Sequence, residues 1–207
     1  MSPEIPNTST SETYNSEEAD LTLISTDDVR FKVHSYEMKS HSSVLKDMLD
    51  ALDNHSNPIP MELKSDDLKI FLDYMISPTP PLLNSWSKVT DILELADKWG
   101  SFLVHERISH RLAHLTTRFP WEVFCFASHE GNEDLARKAI GDMGFDESRC
   151  KISIANLRAT DISGPTVDYL VGLINQLKDH TSTSNRSRYT VYTVDWEAVA
   201  KAFRPCE

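Results

Sequence analysis

Glycine and cysteine are both scarce in this sequence. Its six glycines, among 207 residues, form no loop of the kind that cradles phosphate groups, and neither a GxGxxG nor a GxSxG motif occurs. The three cysteines, Cys125, Cys150 and Cys206, lie far apart and outside any CxxC pattern, so neither a disulfide framework nor a zinc knuckle is expected. These absences argue against an enzyme and against a bound cofactor.

Long apolar runs and positive charge are also missing. The longest apolar runs, such as residues 123–127, fall far short of the roughly 20 residues that span a membrane. The formal net charge of −11 would repel a nucleic-acid backbone. The first 20 residues are acidic and contain no Lys or Arg, unlike a secretory or mitochondrial leader. We therefore expect no membrane or nucleic-acid partner, and a location in the cytoplasm or nucleus.

Several side chains could carry chemistry, but each has a simpler structural interpretation. His110 and His114 have the i, i+4 spacing that can hold a metal, and His105 lies nearby. The residues between them lack the Glu of a metalloprotease helix, and exposed helical histidines are common. Cys125 between two phenylalanines is typical of a core thiol, and His34 of a hydrogen-bonded structural residue. We predict no catalytic residue and no metal site.

The N-terminal part begins with a polar segment followed by strand-like alternation. Residues 1–18 are mostly Ser, Thr, Asn, Pro and Glu and are predicted to form a disordered acidic tail. Apolar residues then alternate with polar ones on both sides of residues 27–28, which predicts a hairpin with one buried face. Helical spacing follows from Ser35 to residue 52. This order predicts the start of a mixed domain.

The next segment returns once to strand spacing and then becomes helical. Residues 59–63 alternate after two prolines and predict a third strand. Ser65 and the acidic residues after it predict a helix start, and the prolines of residues 77–81 end that helix. Two antiparallel helices are predicted beyond the loop. The whole is an α+β domain, with a small three-stranded sheet flanked by helices.

The C-terminal half is predicted to be almost entirely helical. Pro120 opens one helix of an αα-hairpin, which residues 131–132 interrupt, and Pro165 opens another amphipathic helix. Residues 118–180 are therefore expected to be a helical extension. Residues 181–207 are expected to be a loose segment that holds a short strand and a short helix capped by Asp195.

Three stretches resemble the BTB/POZ domain in sequence and in order. They are DLTLISTDDVRFKVHSYEMKSHSSVLKDML at residues 20–49, IPMELKSDDLKIFLDYMI at residues 59–76, and ILELADKWGSFLV at residues 92–104. The resemblance covers residues 19–117. Farther on, PWEVFCFASHEGNEDLARKAI and VDYLVGLINQLKDH are similar to the helical extension that follows the domain in many fungal BTB proteins.

This resemblance implies a protein–protein interaction module rather than an enzyme. The implied function is BTB-mediated scaffolding, through a homodimer or through pairing with another BTB protein. By family analogy, the candidate dimer or partner interface includes Tyr36, Met38, Leu45, Leu49, Leu52 and Asp53.

Two departures from the family pattern bear on the choice of partner. Ser35 stands where the family has a basic residue after the motif histidine. Leu52-Asp53-Asn54 stands where cullin-binding members have an apolar-x-Glu sequence, and it lacks the Glu. Two alternatives remain open: a substrate adaptor for a cullin-type ubiquitin ligase, which would contact the cullin through residues 49–54 and 120–143, and a transcriptional cofactor.

Overall fold

The computed structural model describes residues 9–51, 57–144, 163–186 and 189–206. The chain divides into two compact units, Met1–Ser109 and His110–Glu207. We refer to them as the first and second unit. The domain boundaries predicted from the sequence, at residues 18, 117 and 180, stay predictions.

A small sheet and five helices make up the described part of the first unit. The strands are β1 (Ser9–Asn15), β2 (Leu21–Ile24), β3 (Val29–Val33) and β4 (Ile59–Pro60). The helices are α1 (Ser35–His41), α2 (Ser43–Asp50), α3 (Ser65–Ile76), α4 (Trp86–Lys98) and α5 (Phe102–Arg111), of which the last continues into the second unit. The predicted α+β class is confirmed.

The predicted hairpin forms the centre of the sheet. Strands β2 and β3 pair antiparallel, with Leu23 opposite Phe31. Their inward side chains are almost fully buried, as alternation of apolar and polar residues requires: Leu21, Leu23, Phe31 and Val33 are at most 2% exposed. Asp28 turns the chain with φ of 61°, a left-handed conformation that Asp tolerates better than most residues.

The sheet has one strand more than the sequence predicts. Its order is β1-β3-β2-β4, and both outer strands run parallel to their neighbours. The prediction of a disordered tail through residue 18 is wrong for residues 9–15, because their backbone pairs with β3. Tyr14 also donates a hydrogen bond from its hydroxyl to Asp73 Oδ1 at 2.7 Å. A partner so distant in sequence leaves no local signal.

Helices α3 and α5 both contribute side chains to the core of the first unit. Most apolar side chains of α3 are buried. Arg107 of α5 donates to the carbonyl oxygens of Tyr74 at 2.8 Å and Ser77 at 2.9 Å. The guanidinium thus donates hydrogen bonds to carbonyl oxygens at the end of α3, where the helix itself supplies no amide donors. The prolines that follow then carry the chain away from the helix.

The second unit is a helical bundle with one hairpin of strands. After a short 3₁₀ turn (Leu112–His114), its elements are α6 (Pro120–His129), α7 (Glu133–Asp142), α8 (Val167–Asp179), β5 (Thr181–Arg186), β6 (Tyr189–Val194) and α9 (Trp196–Ala202). Gly131, with φ of 63°, turns the chain between α6 and α7. The Asn132 side chain then caps α7 by accepting from the Leu135 amide at 3.0 Å.

The C-terminal segment is ordered where the sequence predicts a loose one. Strands β5 and β6 pair antiparallel along their full length, so the backbone groups of each strand find hydrogen-bond partners in the other. Asp195 caps α9, as predicted, by accepting from the Ala198 amide at 3.0 Å. Phe203 is fully buried and packs edge-on against Phe124, with ring centroids 5.8 Å apart. The expectation of looseness is therefore wrong for most of this segment.

None of the helices in the described ranges is both long enough and apolar enough to cross a bilayer.

Candidate interaction surface

Helix α2 begins against the turn between α4 and α5. The Ser42 hydroxyl accepts from the Leu45 amide at 3.0 Å, which caps α2, and donates to the Trp99 carbonyl at 2.5 Å. The Ser43 amide donates to the Gly100 carbonyl at 3.2 Å. Gly100 has φ of 58° and lies so close to the Ser43 hydroxyl that a Cβ at this position would collide with it. These contacts fix the turn against the helix.

An open groove lies beside this junction. Its volume is about 420 Å³, and its lining residues come from α1, α2, the α4–α5 turn and α5. The charged and titratable side chains in the lining are those of Lys39, His41, Lys46 and Glu106. Lys39 also pairs with Asp50, with Nζ 2.7 Å from Oδ1. The groove thus combines cationic side chains with apolar surface in a chain of strongly negative net charge.

Three large apolar side chains are exposed around the groove. Phe102 at the start of α5 is 79% exposed and lines it, and Val44 on α2, next to the Gly100 turn, is 41% exposed. Tyr36 on α1 is 65% exposed, one turn before Ser40, which lines the groove. We call these three residues together with the groove the groove face. Exposed apolar clusters of this kind mark interaction sites more often than isolated apolar residues do.

The structure divides the six predicted interface residues into three groups. Tyr36 is exposed, and its ring lies 5.6 Å from that of His34. Met38, Leu45 and Leu49 are at most 1% exposed, so they are core residues and their assignment to a contact surface is corrected. Their periodicity places them on the inner side of α1 and α2. Leu52 and Asp53 lie outside the described residues.

Two residues of the groove face were missed because they belong to apolar stretches that predict core. The buried positions of α5 include Val104 and Ile108, at i, i+4 spacing. Phe102 lies two residues before Val104, which turns it away from that stripe. Val44 directly precedes the buried Leu45 and so points to another side of α2. Helical phase was therefore the signal that could have identified both.

Ser35, the departure from the family pattern, has a defined structural role. Its amide donates to Asp20 Oδ1 at 2.7 Å and its hydroxyl to Asp20 Oδ2 at 2.5 Å. Burial alone would raise the pKa of the Asp20 carboxyl, but the hydrogen bonds from Ser35 outweigh burial and hold that pKa below its ordinary value. Asp20 thus anchors the start of α1, the helix that carries Tyr36, without a basic partner at position 35.

The side chains considered for metal binding do not gather. Within residues 9–51, 57–144, 163–186 and 189–206, no group of three or more His, Cys, Asp or Glu is placed to hold a metal ion. Of the described cysteines, Cys125 and Cys206 are thiols outside any disulfide, each partly buried, and Cys150 lies outside the described residues. The groove face can therefore act through apolar contact, hydrogen bonds and charge.

Comparison with known protein families finds a match to the BTB/POZ domain over residues 11–114. No curated protein sequence matches the chain. The matched range contains all four strands of the first unit except the first two residues of β1, and it contains helices α1 to α5.

Proposed function

Since this chain belongs to the BTB/POZ family, whose domain is a protein–protein interaction module, we propose that it is a scaffold that pairs with a second copy of itself or with another BTB protein. The pairing surface in this proposal is the groove face. A two-fold contact would place the same apolar residues of both copies together.

The observation that carries this proposal is the exposure of Phe102, at 79%, in the lining of the groove. Fully burying one such side chain is worth about 1.5–3 kcal/mol. A symmetric interface would bury each residue twice. Lys46 and Glu106, which also line the groove, could supply opposite charges across the two-fold axis and so fix the register of the two copies.

Light scattering on the purified full chain tests the proposal. We expect a mass of about twice the 23.5 kDa of one chain at micromolar concentration. Phe102→Asp would place a charge at the centre of the interface and should return the protein to a monomer. Leu82→Asp is the matched control, since Leu82 is an exposed apolar residue of the same unit, at 66%, outside the groove face.

Two results would count against self-association through this face. One is a monomer at tens of micromolar, with no heterodimer when another BTB protein is added. The other is a dimer that Phe102→Asp leaves intact while Leu82→Asp dissociates it. Circular dichroism of both variants would show that the substitutions leave the fold in place.

Adaptor function in a cullin-type ubiquitin ligase is the alternative. Its proposed contacts are residues 49–54 and 120–143. Within the first of these ranges, Leu49 is 1% exposed, and Leu52, Asp53 and Asn54 lie outside the described residues. A pull-down with the full chain would discriminate the two functions, because an adaptor should retain a cullin under conditions in which Phe102→Asp abolishes self-association.

A role as a transcriptional cofactor is a second alternative, and it also depends on a bound partner. In such a role the domain would act by binding a DNA-binding protein. A location in the cytoplasm or nucleus is part of both proposals and stays a prediction.

A further inference from the structure

Strand β1 is held to the first unit by few side chains. It is an edge strand, paired only with β3, and its register is irregular between Thr10 and Asn15. Among its seven residues, Ser11 is buried and Tyr14 is half-buried, whereas the other five are exposed. Elements with so few buried contacts open locally at much lower free energy than the rest of a domain.

Tyr14 is the main side-chain anchor of this strand. Its hydroxyl donates to Asp73 Oδ1 at 2.7 Å, and its ring lies 6.0 Å from the ring of the buried Phe31. Asp73, on α3, is only 7% exposed, and its Oδ2 accepts from Lys69 Nζ at 2.8 Å. The Tyr14 hydroxyl therefore links β1 to a nearly buried carboxylate on α3.

The surroundings of the Tyr14 hydroxyl disfavour negative charge. Burial raises the pKa of the phenol strongly, and the hydrogen bond to Asp73 and the charges of Asp73 and Glu37 raise it further. Lys69 pairs with the other oxygen of the Asp73 carboxylate. The Asp73 and Glu37 carboxylates thus both oppose a negative charge on this oxygen.

We propose that Tyr14 is a phosphorylation site and that its modification releases strand β1 from the edge of the sheet. The donor is a nucleoside triphosphate, ATP, bound by a tyrosine kinase. The phenolic oxygen forms a bond to the γ-phosphorus as the bond from that phosphorus to ADP breaks, and the phenolic proton passes to a base of the kinase. Local opening of β1 exposes Tyr14 to the kinase.

The phosphate prevents the strand from closing again. It removes the proton that Tyr14 donates to Asp73 and adds a charge of about −1.5 to −2 at neutral pH. That charge would have to lie beside the Asp73 and Glu37 carboxylates in a largely desolvated place. Release of β1 then uncovers the outer edge of β3, whose backbone groups become available for other pairing. This proposal does not depend on self-association through the groove face.

Hydrogen exchange on the full chain tests the proposal. The protein is treated with a purified tyrosine kinase and ATP, and the modified residue is located by peptide mapping. We expect the amides of Ser9–Asn15 to exchange at least about tenfold faster after modification, whereas those of α6 and α7 keep their rates. The matched control is Tyr14→Phe treated in the same way, because it retains the other five tyrosines and should show no kinase-dependent change in β1.

A second variant separates charge repulsion from simple loss of a contact. Asp73→Asn keeps an oxygen that can accept from the Tyr14 hydroxyl but removes the carboxylate charge. Phosphorylation should therefore accelerate exchange of β1 several-fold less in Asp73→Asn than in the unsubstituted chain.

Three outcomes would overturn the proposal. Tyr14 could be phosphorylated while β1 exchanges at its original rate. The acceleration could also be the same in Asp73→Asn, which would exclude repulsion as its cause. Finally, Tyr14 could stay unmodified in the full chain under conditions in which the kinase modifies a synthetic peptide of residues 9–20, which would mean that β1 does not open enough to be a substrate.

Discussion

Asp20 binds the first residue of helix α1, Ser35, through both of its carboxylate oxygens, at 2.7 Å from the amide and 2.5 Å from the hydroxyl. The same arrangement occurs once more in the first unit. Asp27, in the β2–β3 turn, accepts from the amide of Ser65 at 2.7 Å and from its hydroxyl at 2.6 Å, at the start of α3. Two carboxylates at the central hairpin thus hold the N-terminal ends of two helices. Their negative charge also interacts favourably with the positive end of each helix dipole.

Removing the Asp20 carboxylate should destabilise the first unit. In Asp20→Ala, the amide and hydroxyl of the buried Ser35 lose their acceptors, and we expect a loss of about 1 kcal/mol in the free energy of unfolding. Urea unfolding measures this. Ser35→Ala is the companion variant and should cost less, because it removes only the hydroxyl and keeps the amide bond to Asp20. An Asp20→Ala protein as stable as the unsubstituted chain would show that water replaces both contacts.

Acid should weaken the hydrogen bonds between Asp27 and the start of α3 in a defined pH range. The hydrogen bonds from Ser65, with a further one from the Ser25 hydroxyl, lower the pKa of Asp27 to about 2 from an ordinary 3.8. A carboxyl with a lowered folded-state pKa contributes stability above its unfolded-state pKa, and this contribution is lost as the pH falls from about 4 toward 2. We therefore expect Asp27→Asn to reduce the drop in the urea midpoint between pH 5 and pH 3.

Ser65→Ala provides the control for this pH effect. The variant keeps the Asp27 carboxyl but removes its hydroxyl donor, so the carboxyl should titrate nearer its ordinary pKa and the acid sensitivity should again decrease. If both variants lost stability with acid as steeply as the unsubstituted chain, other carboxyl groups would be responsible for the acid response.

The parts of the fold that follow from local patterns could be predicted from the sequence. Alternation of apolar residues located β2 and β3. Ser65, which is the first residue of α3 rather than its cap, and Asp195, which caps α9, located helix starts within a residue or two. Strand β1 could not be predicted in this way, because it depends on pairing with β3 and on the bond from Tyr14 to Asp73. Neither contact leaves a trace in the composition of a polar, acidic segment.

The interaction surface was harder to predict because apolar residue type signals burial and contact equally. Met38 and Leu45 have the spacing of a buried helix face, and the structure buries them in the core of the first unit. Phe102 is no less apolar, but its helical phase turns it toward solvent. Only the packed structure separates the two groups, since the direction of each helix face depends on what lies against it.

Gly100→Ala should disturb the junction between α2 and the α4–α5 turn. An added Cβ would collide with the Ser43 hydroxyl, and the backbone conformation, with φ of 58°, is unfavourable for alanine. We expect a loss of about 1–3 kcal/mol in the free energy of unfolding. Gly131→Ala is the matched control: φ there is 63°, but no atom lies within 4 Å of the added Cβ, so only the cost of the backbone conformation remains. Equal losses in the two variants would mean that the Ser43 hydroxyl moves aside freely.

In the second unit, two helical glycines should respond to alanine in opposite directions. The C-terminal residues cross α8 at Gly172, where an added Cβ would collide with the carbonyl oxygen of Arg204, a backbone atom. A hydrogen bond from the Cys206 amide to the Asp168 carbonyl, at 3.1 Å, also holds this C-terminal segment to α8. Gly172→Ala must therefore displace either the helix or the C-terminal segment, and we expect a loss of about 1–3 kcal/mol.

Gly141→Ala, in α7, is the matched variant with the opposite expected sign. Its added Cβ would lie 3.7 Å from the Ala200 Cβ, an ordinary packing distance, and alanine is favoured over glycine within a helix by about 0.5–1 kcal/mol. Thermal unfolding of both variants should therefore lower the midpoint for Gly172→Ala and raise it for Gly141→Ala. A neutral Gly172→Ala would mean that the C-terminal segment leaves α8 at little cost. The buried Phe203, which immediately precedes Arg204, argues against this, because its ring would have to leave the aromatic cluster with Phe124 and Tyr169.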